Sequence, residues 1–135
     1  MNGIESRCYV FVNLALSSIQ KGVQGNHACV EIGVQNEYND MYRNWAKNHK
    51  TLIYLQGGFH GEMRGEYSVF SRLCYRLDLP HASFHEDEAT MNGMFTAFAG
   101  IIPSTVYDID LENPLVHMYP DKELAQLLSR YRLAI

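Results

Sequence analysis

The chain has 135 residues, 47% of them hydrophobic, and 11 Lys and Arg against 15 Asp and Glu give it a net charge of −4. That size fits one domain, which on folding buries roughly two-thirds of its unfolded surface without metal or disulfide staples. The acidic balance argues against gripping nucleic acid by bulk charge, and no apolar run approaches the ~20 residues of a membrane span, so a soluble cytoplasmic protein is expected.

Residues 8–14, centred on Tyr9-Val10-Phe11-Val12, read as one apolar strand buried on both faces, as in a parallel sheet. Helical spacing follows from about 20 to 34. There Gln20, Gln24, His27 and Glu31 stack along one narrow face, beside a stripe of Val23, Val30 and Val34 that is expected to face the core. A second helix is predicted over 37–48, with Tyr38, Met41, Tyr42 and Trp45 on one side. Its basic end, Arg43, Lys47, His49 and Lys50, suits the negative pole of a helix. Leu52 to Leu55 is the next buried strand, closed by Gly57-Gly58. The glycine-rich run from Gly57 to Glu62 lacks a P-loop ending and reads as a flexible loop.

Met63, Tyr67, Phe70, Cys74 and Leu77 then recur at helical spacing, with Arg64, Arg72 and Arg76 facing away, until Asp78 and Pro80 end the helix. Strands are predicted at 82–86 and 95–102, an irregular stretch at 103–120, and a last helix with Leu124, Leu127, Leu128 and Tyr131 on one side. Strands alternating with helices imply a three-layer α/β/α sandwich. The last two strands lie too close in sequence for a helical crossover, so the four-stranded sheet is expected to be mixed, with the first strand central.

His27 is the leading candidate for chemistry. A histidine in register with Gln20 and Gln24, at the start of a helix near the carboxyl end of a strand, is costly to bury without purpose. The acidic turn Glu86-Asp87-Glu88 leads through Thr90 to Thr96, whose hydroxyl needs a partner inside a buried strand. His81, His85 and Asp87 share a strand face, but histidines four residues apart on a strand lie ~13 Å apart, so no metal site is expected. Cys8, Cys29 and Cys74 are odd in number, lack C-x-x-C spacing and read as buried reduced thiols. There is no Gly-x-Ser-x-Gly elbow and no defensible Cys-His nucleophile pair.

Three segments carry a family resemblance: Gln20 to Ala28, Lys50 to Leu55, and Glu86 to Thr90 leading into Phe95-Thr96-Ala97-Phe98-Ala99. Over residues 8–103 they resemble the type II peptidyl-tRNA hydrolases, whose first strand is followed by G-K-x-A-A-Q-x-x-H-A and which later carry D-A-G-x-T. Gln24, His27 and Ala28 are the best-matched positions. Gln20 stands where the family has lysine, and Lys21 is turned ~100° away around the helix. The segment from Asp87 to Thr96 is shorter than the family pattern, and 103–120 reads as an insertion.

The resemblance implies a single peptidyl-tRNA hydrolase II-like domain over 1–135 that needs no cofactor and cleaves the ester between a peptide and tRNA. Asp87 or His27 would be the general base. The amides of Gln20 and Gln24, or the hydroxyls of Thr90 and Thr96, would orient water and carbonyl, with Lys21, Gln24 and Thr90 holding substrate, and Gln20, Gln24, His27, Asp87 and Thr96 converging on one cleft. The alternative is an inactive member of the fold that binds a small ligand, a nucleotide or a protein. Tyr38, Tyr42, Trp45 and the Leu124–Tyr131 stripe offer apolar surface for a homodimer.

Overall fold

Strand β1 (Ser6–Asn13) is hydrogen-bonded along both edges, parallel to β2 (Leu52–Gly58) and antiparallel to β4 (Phe95–Pro103). Strand β3 (His81–His85) pairs antiparallel with β4, giving a mixed sheet in the order β2-β1-β4-β3. The computed structural model describes residues 4–85, 94–119 and 121–134. Its helices are α1 (Ser18–Gln35), α2 (Asp40–Asn44), α3 (His60–Arg76), α4 (Ser104–Tyr107) and α5 (Lys122–Ser129).

Side chains of β1 alternate between two separate apolar clusters, because successive residues of a strand point to opposite faces. Cys8, Val10 and Val12 pack with Ala28 and Ile32 of α1 and with Trp45. Tyr9 and Phe11 pack with Phe70 and Leu73 of α3, Val106 of α4, and Leu124 and Leu127 of α5. Helices therefore cover both faces, as the strand-helix alternation predicts. On the α1 side the sheet presents Ala82, Ala97 and Ala99, all buried, so a helix can lie close to it. On the other side Phe11 stacks on Phe98 at 4.3 Å and meets the Phe70 ring edge-on at 5.1 Å.

Several expectations need correction. The Val23, Val30 and Val34 stripe does not face the core: these residues are 46%, 61% and 66% exposed. The buried residues of α1 are Gln24, Gly25, Ala28 and Ile32. Small residues win that face because the Tyr54 ring from β2 lies directly over Gly25, where a Cβ would collide with it. The second helix starts at Asp40 rather than 37, since Asn39 Oδ1 caps it by accepting from the Tyr42 N–H at 3.0 Å, and it widens into a π turn over Trp45–His49.

Strand β2 is only half buried, with Leu52 exposed and Leu55 buried, because it lies at a sheet edge. The C-terminal segment covers that edge. The Gln56 N–H donates to the Arg132 carbonyl and the Ala134 N–H to the Tyr54 carbonyl, each at 2.8 Å. Such cover removes an open template for strand addition. The stretch 103–120 contains α4 and a 3-10 turn at Val116–Met118. Leu124, Leu127, Leu128 and Trp45, expected to leave surface for a second copy, are buried within the chain's own core. Among the described residues no helix is long and apolar enough to cross a membrane.

Gly100 of β4 sits under the Phe70 ring, whose Cζ would lie 2.7 Å from an added Cβ. Gly100→Ala should therefore cost about 1–3 kcal/mol, the usual range for overpacking a core. Urea unfolding checks this through a lower midpoint at unchanged slope; an unchanged midpoint would show that the ring moves freely.

Candidate functional site

The carboxyl end of β1 is where the sheet loses its regular register on both sides. Opposite β1, Gly57 is the extra residue between the Val12–Gln56 and Asn13–Gly58 pairs. In β4, Thr96 is the extra residue between those paired with Phe84 and His85. Bulges of this kind leave ladder groups unpaired and re-aim side chains. Asn13, 1% exposed, serves those groups: its Nδ2 donates to the Phe95 carbonyl at 2.9 Å, and its Oδ1 accepts from the Ala15 N–H at 2.8 Å. The Thr96 hydroxyl, wholly buried, donates to the Phe84 carbonyl at 3.1 Å.

Helix α1 starts four residues beyond this junction with a capping box. Ser17 Oγ accepts from the Gln20 N–H at 3.2 Å, and Gln20 Oε1 accepts from the Ser17 N–H at 3.3 Å. The Gln20 side chain is thus engaged in starting the helix, on its exposed end. One turn on, Gln24 is buried, and its Oε1 lies 3.0 Å from His27 Nδ1. An amide oxygen can only accept, so Nδ1 carries the proton in this contact, and in the neutral ring the lone pair is then on Nε2. The His27 ring packs 4.6 Å from the ring of Phe84. Among the described residues no protein group bonds to Nε2.

The structure thus joins Gln24 to His27 directly, and Thr96 bonds the backbone of Phe84, whose ring packs against His27. Gln20, one turn before Gln24, is engaged in the helix cap, and Lys21 is half-buried beside it. Asp87 and Thr90 lie outside the described residues. His81 is committed elsewhere: its Nδ1–H donates to the Leu79 carbonyl and its Nε2 accepts from Ser71, both at 2.9 Å. Among the described residues no three His, Cys, Asp or Glu side chains group as metal ligands do.

Two of the cavities among the described residues lie on the α3 face, opposite His27. One, about 580 Å³, is lined by Arg64, Tyr67, Arg72, Tyr75, His85 and Phe95 among others. The other, about 540 Å³, lies beyond the carboxyl end of β2 and is lined by Gly58, Gly61, Gly65, Arg130 and Arg132 among others. Gly57-Gly58 is therefore not a flexible loop: both residues belong to β2, and Gly58 takes a φ of +96° that suits glycine. Its wall includes residues more than sixty positions away along the chain, so no local pattern announces it.

Asn13 was likewise not marked by sequence. A single asparagine after an apolar run reads as a strand end, and only the two bulges reveal its role. Comparison of the chain with known families and with curated proteins finds no match to either.

Removing the Asn13 amide should strand the buried Phe95 carbonyl, at a cost of about 1–3 kcal/mol. Asn13→Ala is expected to lower the urea midpoint by that amount. It should also speed hydrogen exchange at Ala15, whose N–H loses its acceptor; protection unchanged at Ala15 would contradict the role assigned to Asn13.

Proposed function

We propose that this chain is a divergent peptidyl-tRNA hydrolase-like esterase that cleaves the ester between a peptide and the tRNA ribose. The observation that carries the reading is the Gln24–His27 hydrogen bond, which leaves Nε2 of His27 as an oriented base. The mixed four-stranded sheet with a central β1 suits the resemblance, as does the position of α1 directly after that strand.

In this reading His27 Nε2 takes a proton from water as the oxygen attacks the ester carbonyl carbon. The tetrahedral oxyanion collapses, the bond to the ribose oxygen breaks, and that oxygen takes up the proton. Gln24 holds the imidazole in the reactive tautomer through the step, while Thr96 ties down the backbone of Phe84, whose ring packs against His27. Asp87 is the second candidate base, Thr90 and Lys21 contact substrate, and Gln20 replaces a cationic stabiliser.

A second reading is favoured by the glycine-lined cavity with Arg130 and Arg132, on the face away from His27. There the chain is a binding module for a small ligand, a nucleotide or a protein, without turnover.

Release of peptide from a blocked aminoacyl-tRNA separates the two. His27→Ala should reduce turnover by about 10²–10⁴-fold, the contribution of a positioned general base. Gln20→Lys should raise it by restoring a cation near the oxyanion. No turnover in the parent, and none gained by Gln20→Lys, leaves the binding module as the better account.

A further inference from the structure

Cys8 and Cys29 are far apart in sequence, yet their sulfurs lie 3.6 Å from each other, linking the central strand to α1. Cys8 is wholly buried in mid-β1, while Cys29 is half-buried on the flank of the helix. We propose that these two thiols are a reversible oxidation site, closing to a disulfide when a peroxide reaches Cys29.

The pair is asymmetric in a way that fixes the order of events. Either thiol can donate across this contact, but Cys8 is the more deeply buried, so the shared proton belongs on Cys8: the contact holds the Cys29 thiol below its usual range and, with burial, pushes the Cys8 thiol well above. Cys29 is therefore both the better nucleophile and the one nearer solvent, and reactivity follows thiolate character and access. Its sulfur attacks one oxygen of hydrogen peroxide. An S–O bond forms, the O–O bond breaks, and the departing oxygen leaves as water once protonated. Cys8 then attacks the sulfur of the resulting Cys29 sulfenic acid. The S–S bond forms, the S–O bond breaks, and the departing hydroxide takes the Cys8 proton as a second water. Two thiols lose two electrons and one peroxide becomes two waters.

Closure brings the sulfurs to about 2.05 Å, an approach of roughly 1.5 Å that side-chain rotation and a shift of α1 must supply. Cys74 takes no part. It is wholly buried in the cluster on the opposite face, where burial pushes its thiol up. Since Cys29 follows His27 by two residues, closure also displaces the Gln24–His27 pair; that consequence rests on the esterase reading, whereas the disulfide does not.

The test treats the full chain with equimolar hydrogen peroxide, then alkylates it under denaturing conditions for intact-mass and peptide analysis. Expected are the loss of two hydrogens, one alkylated thiol at Cys74, a linked Cys8–Cys29 peptide, and three alkylated thiols again after dithiothreitol. Cys29→Ser, at a half-exposed position, should abolish the mass change. In Cys8→Ala, a sulfenic acid should persist on Cys29 and be trapped by dimedone. Three alkylated thiols after peroxide, a bond to Cys74, or links only between chains would overturn the proposal. Peptide release measured on the oxidised and reduced forms separates the two ideas. A disulfide that forms in a chain without turnover counts against the esterase alone.

Discussion

Everything in this fold depends on β1 being enclosed on all four sides. Its two edges are hydrogen-bonded to β2 and β4, and its two faces feed separate apolar clusters. A strand in that position can carry no charged side chain in its middle, and between Cys8 and Val12 it carries none. It also cannot end quietly. Where the ladder stops, buried backbone groups need partners, and leaving one unmet costs about 1–3 kcal/mol. Asn13 meets that need with both ends of one amide, bonding the bulged start of β4 and the loop into α1.

That junction decides where α1 begins and therefore which face of it meets the sheet. The chain turns through Leu14 to Leu16, Ser17 caps the helix, and the first buried side chain is a glutamine. Burying an amide without a partner is unfavourable, so Gln24 and His27 satisfy one another at the margin of the core. The bond that solves a packing problem for Gln24 also selects the tautomer of His27. Structure and chemistry meet in that one contact, and the helix that holds it is the one tied to β1 by the Cys8–Cys29 contact.

Much of this was legible from sequence, and the failures have physical causes. The doubly apolar run of β1 and the helical register of α1 stand out because burial on both faces and a 3.6-residue period leave strong patterns. The face of α1 was misread because valines are the larger apolar residues and glycine and alanine look neutral. Close approach to Ala97, Ala99 and the Tyr54 ring reverses that choice. Strand β2 read as buried because Leu52 to Leu55 are apolar, whereas an edge strand is covered only where another segment lies over it. That cover comes from residues 132–134, whose own sequence has no strand pattern. The Gln24–His27 pair was visible as helical spacing. The role of Gln20 at the N3 position of a capping box is equally written in Ser17-x-x-Gln20.

The most direct measurement of the central claim is the nitrogen NMR spectrum of the His27 imidazole at neutral pH. With Gln24 accepting from Nδ1, the neutral ring should carry its proton on Nδ1, the less common tautomer of histidine. Gln24→Leu should return it to Nε2. A native ring protonated on Nε2, or one indifferent to Gln24→Leu, would contradict an imidazole held in place as a base.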